Sequence, residues 1–270
     1  MSGRWGGRLT SRPLPERDPS IDALSPRDRD DLVRTWLLRA AMERRVGDSF
    51  VVIRDALVRR NARSELVTLA ERAIDDEMRH EELSRVVASR FAGKELPSPP
   101  LLSLEVPKHD GASPELRDTL HIVGQCIFNE TTAAAYLETS LEHAKGELAR
   151  AALRELLSDE IDHGRIGWAH LAACHAHARA QVAPWILPMA WLNLRNWRHE
   201  TPLGPVHTEA LTEQGVPPAP ILHAAFIDAL RTLIVPGLKQ LGIATDALEQ
   251  WLDDGSYTDR IPNAISREVR

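Results

Sequence analysis

The sequence predicts an all-α fold: a four-helix bundle made of two hairpins joined by one long crossover, followed by further helices. Three observations carry this. Apolar residues recur at helical spacing over four long stretches. Short polar turns join the stretches in pairs. Between the pairs lies a segment rich in proline and too long for a tight turn.

The first helix opens at Ser25-Pro26, a capping serine followed by a proline whose missing N–H costs nothing in a first turn. It runs to about Asn61 along Val33, Trp36, Ala40, Gly47 and Phe50. A second runs from about Arg63 to Phe91 through Leu66, Ala70, Ala73 and Val87. The crossover, residues 92–112, contains Pro97, Pro99, Pro100 and Pro107. Extended, it reaches about 70 Å, more than the length of a 30-residue helix at about 45 Å. A third helix opens at Ser113-Pro114 and runs to about Lys145 through Leu116, Val123, Ala134, Leu137 and Leu141. The fourth spans Glu147 to about His177 through Ala149, Leu153, Leu156 and Leu171. The expected organisation is a disordered tail over 1–24, the bundle over 25–178, and a helical extension over 179–270 packed on the bundle. In that extension Trp185, Trp191 and Trp197 read either as packing or as a lid or pocket wall.

Composition sets the outer bounds. With 43% hydrophobic and 27% charged residues, the chain can bury a sizeable core. A formal charge of −6 excludes a broadly basic nucleic-acid surface. Cys126 and Cys174 are the whole cysteine complement, which excludes a disulfide framework and a thiolate metal cluster. The tail lacks the apolar segment of a secretory signal, and no stretch reads as a membrane span, so the expected compartment is the cytoplasm. Charge runs such as DDLVR and ERAIDDE read as solvated faces.

The apolar stripes are interrupted by polar residues. Helix one passes through Glu43, helix two through Glu77 and His80, helix three through Glu130, helix four through Glu160 and His163. Asp48 competes with Glu43 but falls on a polar edge with Arg44 and Asp55. Glu-x-x-His puts both side chains on one helix face, where they can grip one metal ion. Here both copies extend to Asp-Glu-apolar-x-His, DEMRH at 76–80 and DEIDH at 159–163. Each such match is expected by chance well under about 0.1 times per chain. Depth agrees: about 18 residues lead from Glu43 to its turn and about 14 back to Glu77, with about 16 and 14 in the second hairpin. Four buried glutamates without metal would cost several kcal/mol each or take up protons. Two divalent ions cancel their charge.

These residues resemble the ferritin-like di-iron carboxylate superfamily, over roughly residues 27–177. The resemblance implies a ferritin-like four-helix bundle and two Fe ions, with Mn or a mixed Mn/Fe pair compatible with the same oxygen and nitrogen donors. It implies that Glu43, Glu77 and His80 serve one ion and Glu130, Glu160 and His163 the other, Glu77 and Glu160 being the bridging pair. Asp76 and Asp159, each directly before a ligand Glu, are similar to acids of the oxygen-activating branch that bond the far nitrogen of a ligating histidine. Ser84 stands where ribonucleotide reductase small subunits place a tyrosine, and Leu156 where the di-iron N-oxygenases place an extra histidine. The function implied is an O₂-activating oxidase or monooxygenase acting on a small organic substrate, with electrons from an external reductase or ferredoxin. No nucleic acid or membrane partner is expected, and a homodimer is compatible. Iron storage or peroxide scavenging, and a metal-binding module without turnover, are the alternatives. Gly47, Ser84, Ala134 and Gly167 are small and near the ligands, which fits a cavity and close helix packing alike. Cys126 and His170 are candidates for the surroundings of the same site.

Overall fold

The computed structural model describes residues 13–199, 207–255 and 257, and among these the chain is helical with no strand. Helix α1 (Pro26–Arg59) begins where the serine and proline place it: the Ser25 hydroxyl oxygen accepts from the Asp28 N–H at 3.1 Å. A turn carrying Asn61 at φ 48° leads to α2 (Ser64–Ala92), which pairs extensively with α1 as a hairpin. Gly93, at φ 66°, closes α2 in the left-handed conformation that a side chain resists. The crossover then runs without regular structure to Ser113, which caps α3 (Pro114–Ile122).

The third helix departs from the uniform period expected of it. Between α3 and α4 (Glu130–His143) the backbone winds as a π segment over Val123–Asn129. After a short turn, α5 (Glu147–Ala173) returns along α4 and also packs on α2. It stops before the expected His177, with Cys174 in extended conformation ahead of the short α6 (Ala176–Ala180). Beyond lie α7 (Ile186–His199), α8 (Glu209–Glu213), α9 (Ala219–Ala229), α10 (Val235–Gln240) and α11 (Asp246–Asp254). Helix α9 packs on α4, and α7 on the π segment and α11.

Two stretches add detail to the sequence reading. Residues 13–24 are not a loose tail: Ile21 is buried, and Asp18 Oδ2 accepts from the Leu148 N–H at 2.9 Å. The reason is non-local, since α5 follows Gly146, which has no capping side chain. Residues 1–12 lie outside the described residues. Secondly, the stretch Ala219–Gln240, 22 residues, is long and apolar enough by composition to cross a membrane, with 39% of its apolar window buried in the fold. His223, Asp228, Arg231 and Thr232 are its polar interruptions before Lys239.

Two apolar clusters bracket the middle of the four long helices. One holds Trp36, Leu83, Val87, Phe91, Leu148 and Leu156; the other holds Phe50, Ile53, Leu57, Leu66, Ala73 and Ile166. The polar interruptions of the stripes fall between them.

Candidate metal centre

Glu43 reaches the interior from α1, Glu77 and His80 from α2, Glu130 from the first residue of α4, and Glu160 and His163 from α5. They form two overlapping groups. In one, Glu43, Glu77, His80 and Glu160 each offer a ligand atom within 4.8 Å of the others; in the second, Glu77, Glu130, Glu160 and His163 do the same. Glu77 and Glu160 belong to both. Asp48 is exposed instead, 4.0 Å from Arg44.

Both histidines turn Nδ1 inward. His163 Nδ1 stands 3.1 Å from Glu77 and 3.3 Å from Glu160, and His80 Nδ1 3.6 Å from each of the same two carboxylates. Outward, the support crosses between hairpins: His80 Nε2 lies 3.2 Å from Asp159, and His163 Nε2 3.5 Å from Asp76. Each Asp therefore sits behind the histidine of the opposite motif. A proton on Nε2 facing the aspartate leaves the Nδ1 lone pair for a metal.

Sequence reasoning missed the cations behind these aspartates. Arg79 Nη1 donates to Asp76 at 2.6 Å, and its Nη2 donates to Asp159. Arg72 lies 3.4 Å from Asp76 and 3.6 Å from Asp162, so the run read as solvated is in part a clasp. Arg79 is the variable position of DEMRH and stands one turn after Asp76, a spacing that could have signalled the pair.

The π segment supplies a second missed group. Gln125 lies five residues before Glu130, a separation that a π turn superimposes. Ser49 donates to the Gln125 carbonyl oxygen at 3.0 Å, which turns its amide nitrogen onto Glu130, to which it donates. Cys126 is instead buried beside α5, its thiol pushed up by burial and by the Glu130 charge.

Without metal, the electrostatics are those of a site full of donors. Burial opposes charge on Glu77, but the imidazoles of His163 and His80 beside it outweigh that and hold the carboxyl at about 2. Burial likewise opposes the imidazolium of His80, yet Asp159 and Glu77 push it up to about 10, and His163 is raised in the same way by Asp76 and Glu160. Burial raises Glu43 and Glu130 well above the usual carboxylate range, with repulsion from Glu77 and Glu160 adding to it. Both Glu77 oxygens and His80 Nδ1 are buried without a hydrogen-bond partner among the described residues. Unpartnered acceptors and a nitrogen converging from several helices fit a divalent cation pair.

A cavity of about 480 Å³ opens onto Glu43, Glu130 and Glu160. Its walls come from α1, the crossover over 103–107, the π segment, α4 and α7. None of the residues expected to line it does so: Gly47, Ser84, Cys126, Ala134, Gly167 and His170 all lie elsewhere. Close packing accounts for the glycines. A Cβ on Gly167 would meet Ile127 at 2.6 Å and Cys126 at 2.9 Å, and one on Gly47 would meet Glu77 Cβ at 3.3 Å. His170 is buried against Thr119 at 3.3 Å, and burial holds it down at about 4. Trp197 does line the cavity, while Trp185 packs edge-on to His109 at 5.4 Å. No family model matches the chain, and no curated protein matches it.

Proposed function

We propose that the protein is a ferritin-like, dinuclear non-haem iron oxidoreductase that uses O₂ to oxidise a small organic substrate. The observation that carries this reading is the pair of overlapping ligand groups sharing Glu77 and Glu160, with a cavity reaching the Glu43–Glu130 side. Two hairpins, α1 with α2 and α4 with α5, joined by the 93–113 crossover, support the ferritin-like assignment.

Glu43 and His80 would hold one ion, Glu130 and His163 the other, with Glu77 and Glu160 between them. An iron pair so bound supplies the two-electron chemistry that O₂ activation requires. The chain supplies the rest. Asp159 and Asp76 fix the histidine tautomers, Arg79 holds the two aspartates together, and Gln125 orients Glu130. The cavity, lined by Leu38, Met42, Val46 and Met189 among others, admits an apolar substrate and keeps bulk water from it. Electrons come from an external donor. A built cavity at the carboxylate side favours an organic substrate over iron storage.

Anaerobic loading with ferrous iron tests the reading directly. About two metal ions per chain are expected, followed by O₂ consumption on mixing. Fewer than about one ion per chain, iron or manganese, overturns it.

A further inference from the structure

The cavity wall carries a guanidinium whose charge acts on Glu43 but whose hydrogen-bonding capacity is not filled among the described residues. Arg39 stands on α1 one turn before Glu43, about 6 Å along the helix axis, and lines the cavity wall. Its guanidinium carbon lies 4.6 Å from the Trp36 ring centroid and 5.6 Å from that of Tyr136. Its Nη1 is buried and has no hydrogen-bond partner among the described residues. Other arginines near the centre are answered: Arg79 and Arg72 by the aspartates, Arg44 by Glu81 at 3.7 Å. Stacking on two aromatic faces holds a guanidinium in place but satisfies none of its in-plane N–H groups. The group that matches this planar fork is a carboxylate, bound through parallel N–H···O contacts.

The remaining wall completes the argument. Leu38, Met42, Val46, Leu104 and Leu192 add apolar surface to the same lining, and Glu43, Glu130 and Glu160 add its carboxyls. A dianion would face those acids while Arg39, the guanidinium with an unfilled nitrogen, already shares its single charge with Glu43. An ammonium would meet Arg39 itself. We infer that the cavity binds a monocarboxylate with an apolar body, its head on Arg39 and its chain directed along the cavity toward the Glu43–Glu130 edge. This deepens the proposed function by naming its substrate class, and rests on that reading for turnover, though not for binding.

The test is calorimetric titration with octanoate, 1-octanol and octylamine, on the protein as purified and after removal of metal. Octanoate is expected to bind at least about tenfold more tightly than the other two in both forms. Arg39→Gln should cost octanoate about tenfold or more and leave 1-octanol nearly unchanged, while Arg39→Lys keeps part of the preference. Octanoate no tighter than 1-octanol, a preference for octylamine, or a carboxylate preference that survives Arg39→Gln overturns the inference. If Arg39→Gln fails to fold, the order of head groups on the unaltered protein decides. Metal content, measured separately, keeps the two readings apart. Octanoate preference without metal removes only the oxidoreductase, and metal without preference removes only the carboxylate site.

Discussion

Loading the centre with metal should expel protons, and the number follows from the geometry. Before loading, His80 (raised to about 10) and His163 (raised well above 6.5) carry charge at neutral pH. Glu43 and Glu130 are raised well above 4.5 by burial and by neighbouring acids, whereas Glu77, at about 2, is ionised. Ligation needs neutral imidazoles and ionised carboxylates. The histidines alone release about two protons, and the two raised carboxyls take the total toward about four. Each proton makes affinity rise about tenfold per pH unit, roughly 1.4 kcal/mol. Loading of the pair should therefore strengthen by about 10² to 10⁴ per pH unit. Zinc is a suitable probe because it has no redox chemistry of its own. Titrating metal-free protein with zinc in buffers of matched pH and different ionisation enthalpy gives the proton count directly. Release of fewer than about one proton per chain would refute the account of how these side chains share charge.

Three further outcomes follow from the same contacts. Asp159→Asn removes the negative charge behind His80 and should weaken metal binding about 10- to 100-fold in chelator competition, with helix content unchanged. The metal-free protein should be most stable near pH 5. His80 and His163, raised above their unfolded values, lose their stabilisation as pH climbs from about 6.5 toward 10, and ionising Glu43 and Glu130 act in the same sense. Glu77 and Asp76, both held at about 2, lose theirs as pH falls below about 4.5. A melting temperature that climbs from pH 6 to 9 contradicts that balance. Gly167→Ala drives a methyl into Ile127 and Cys126 and should cost about 1–3 kcal/mol in urea unfolding. An unchanged midpoint would mean that α5 and the π segment part easily.

The helix starts were legible because their signals are local. Ser25-Pro26 and Ser113-Pro114 each put a capping hydroxyl one residue ahead of a proline, and both hydroxyls accept first-turn N–H groups. Glu43, Glu77, His80, Glu130, Glu160 and His163 stood out as polar residues on apolar stripes, and they converge in space. What stayed hidden is non-local. No spacing rule tells that the helix before Glu130 is wound one residue wider, so Gln125, the residue that meets Glu130, went unnoticed. Asp18 joins α5 across 130 positions of sequence. The cavity depends on where α7 and the crossover come to rest, which small residues beside the ligands do not reveal.

The crossed aspartates have a structural corollary. Asp76 serves the histidine of the second motif and Asp159 that of the first, so the two five-residue motifs exchange partners as two subunits do across an isologous interface. Within one chain the exchange is approximate, and one position breaks it. Where the first motif has Arg79, the second has Asp162. Arg79, with Arg72 beside it, therefore serves both halves from one side, reaching its own aspartate and the opposite one. The two ligand groups are thus matched in residue type but not in what stands behind them, so the second half of the site depends on a cation that belongs to the first.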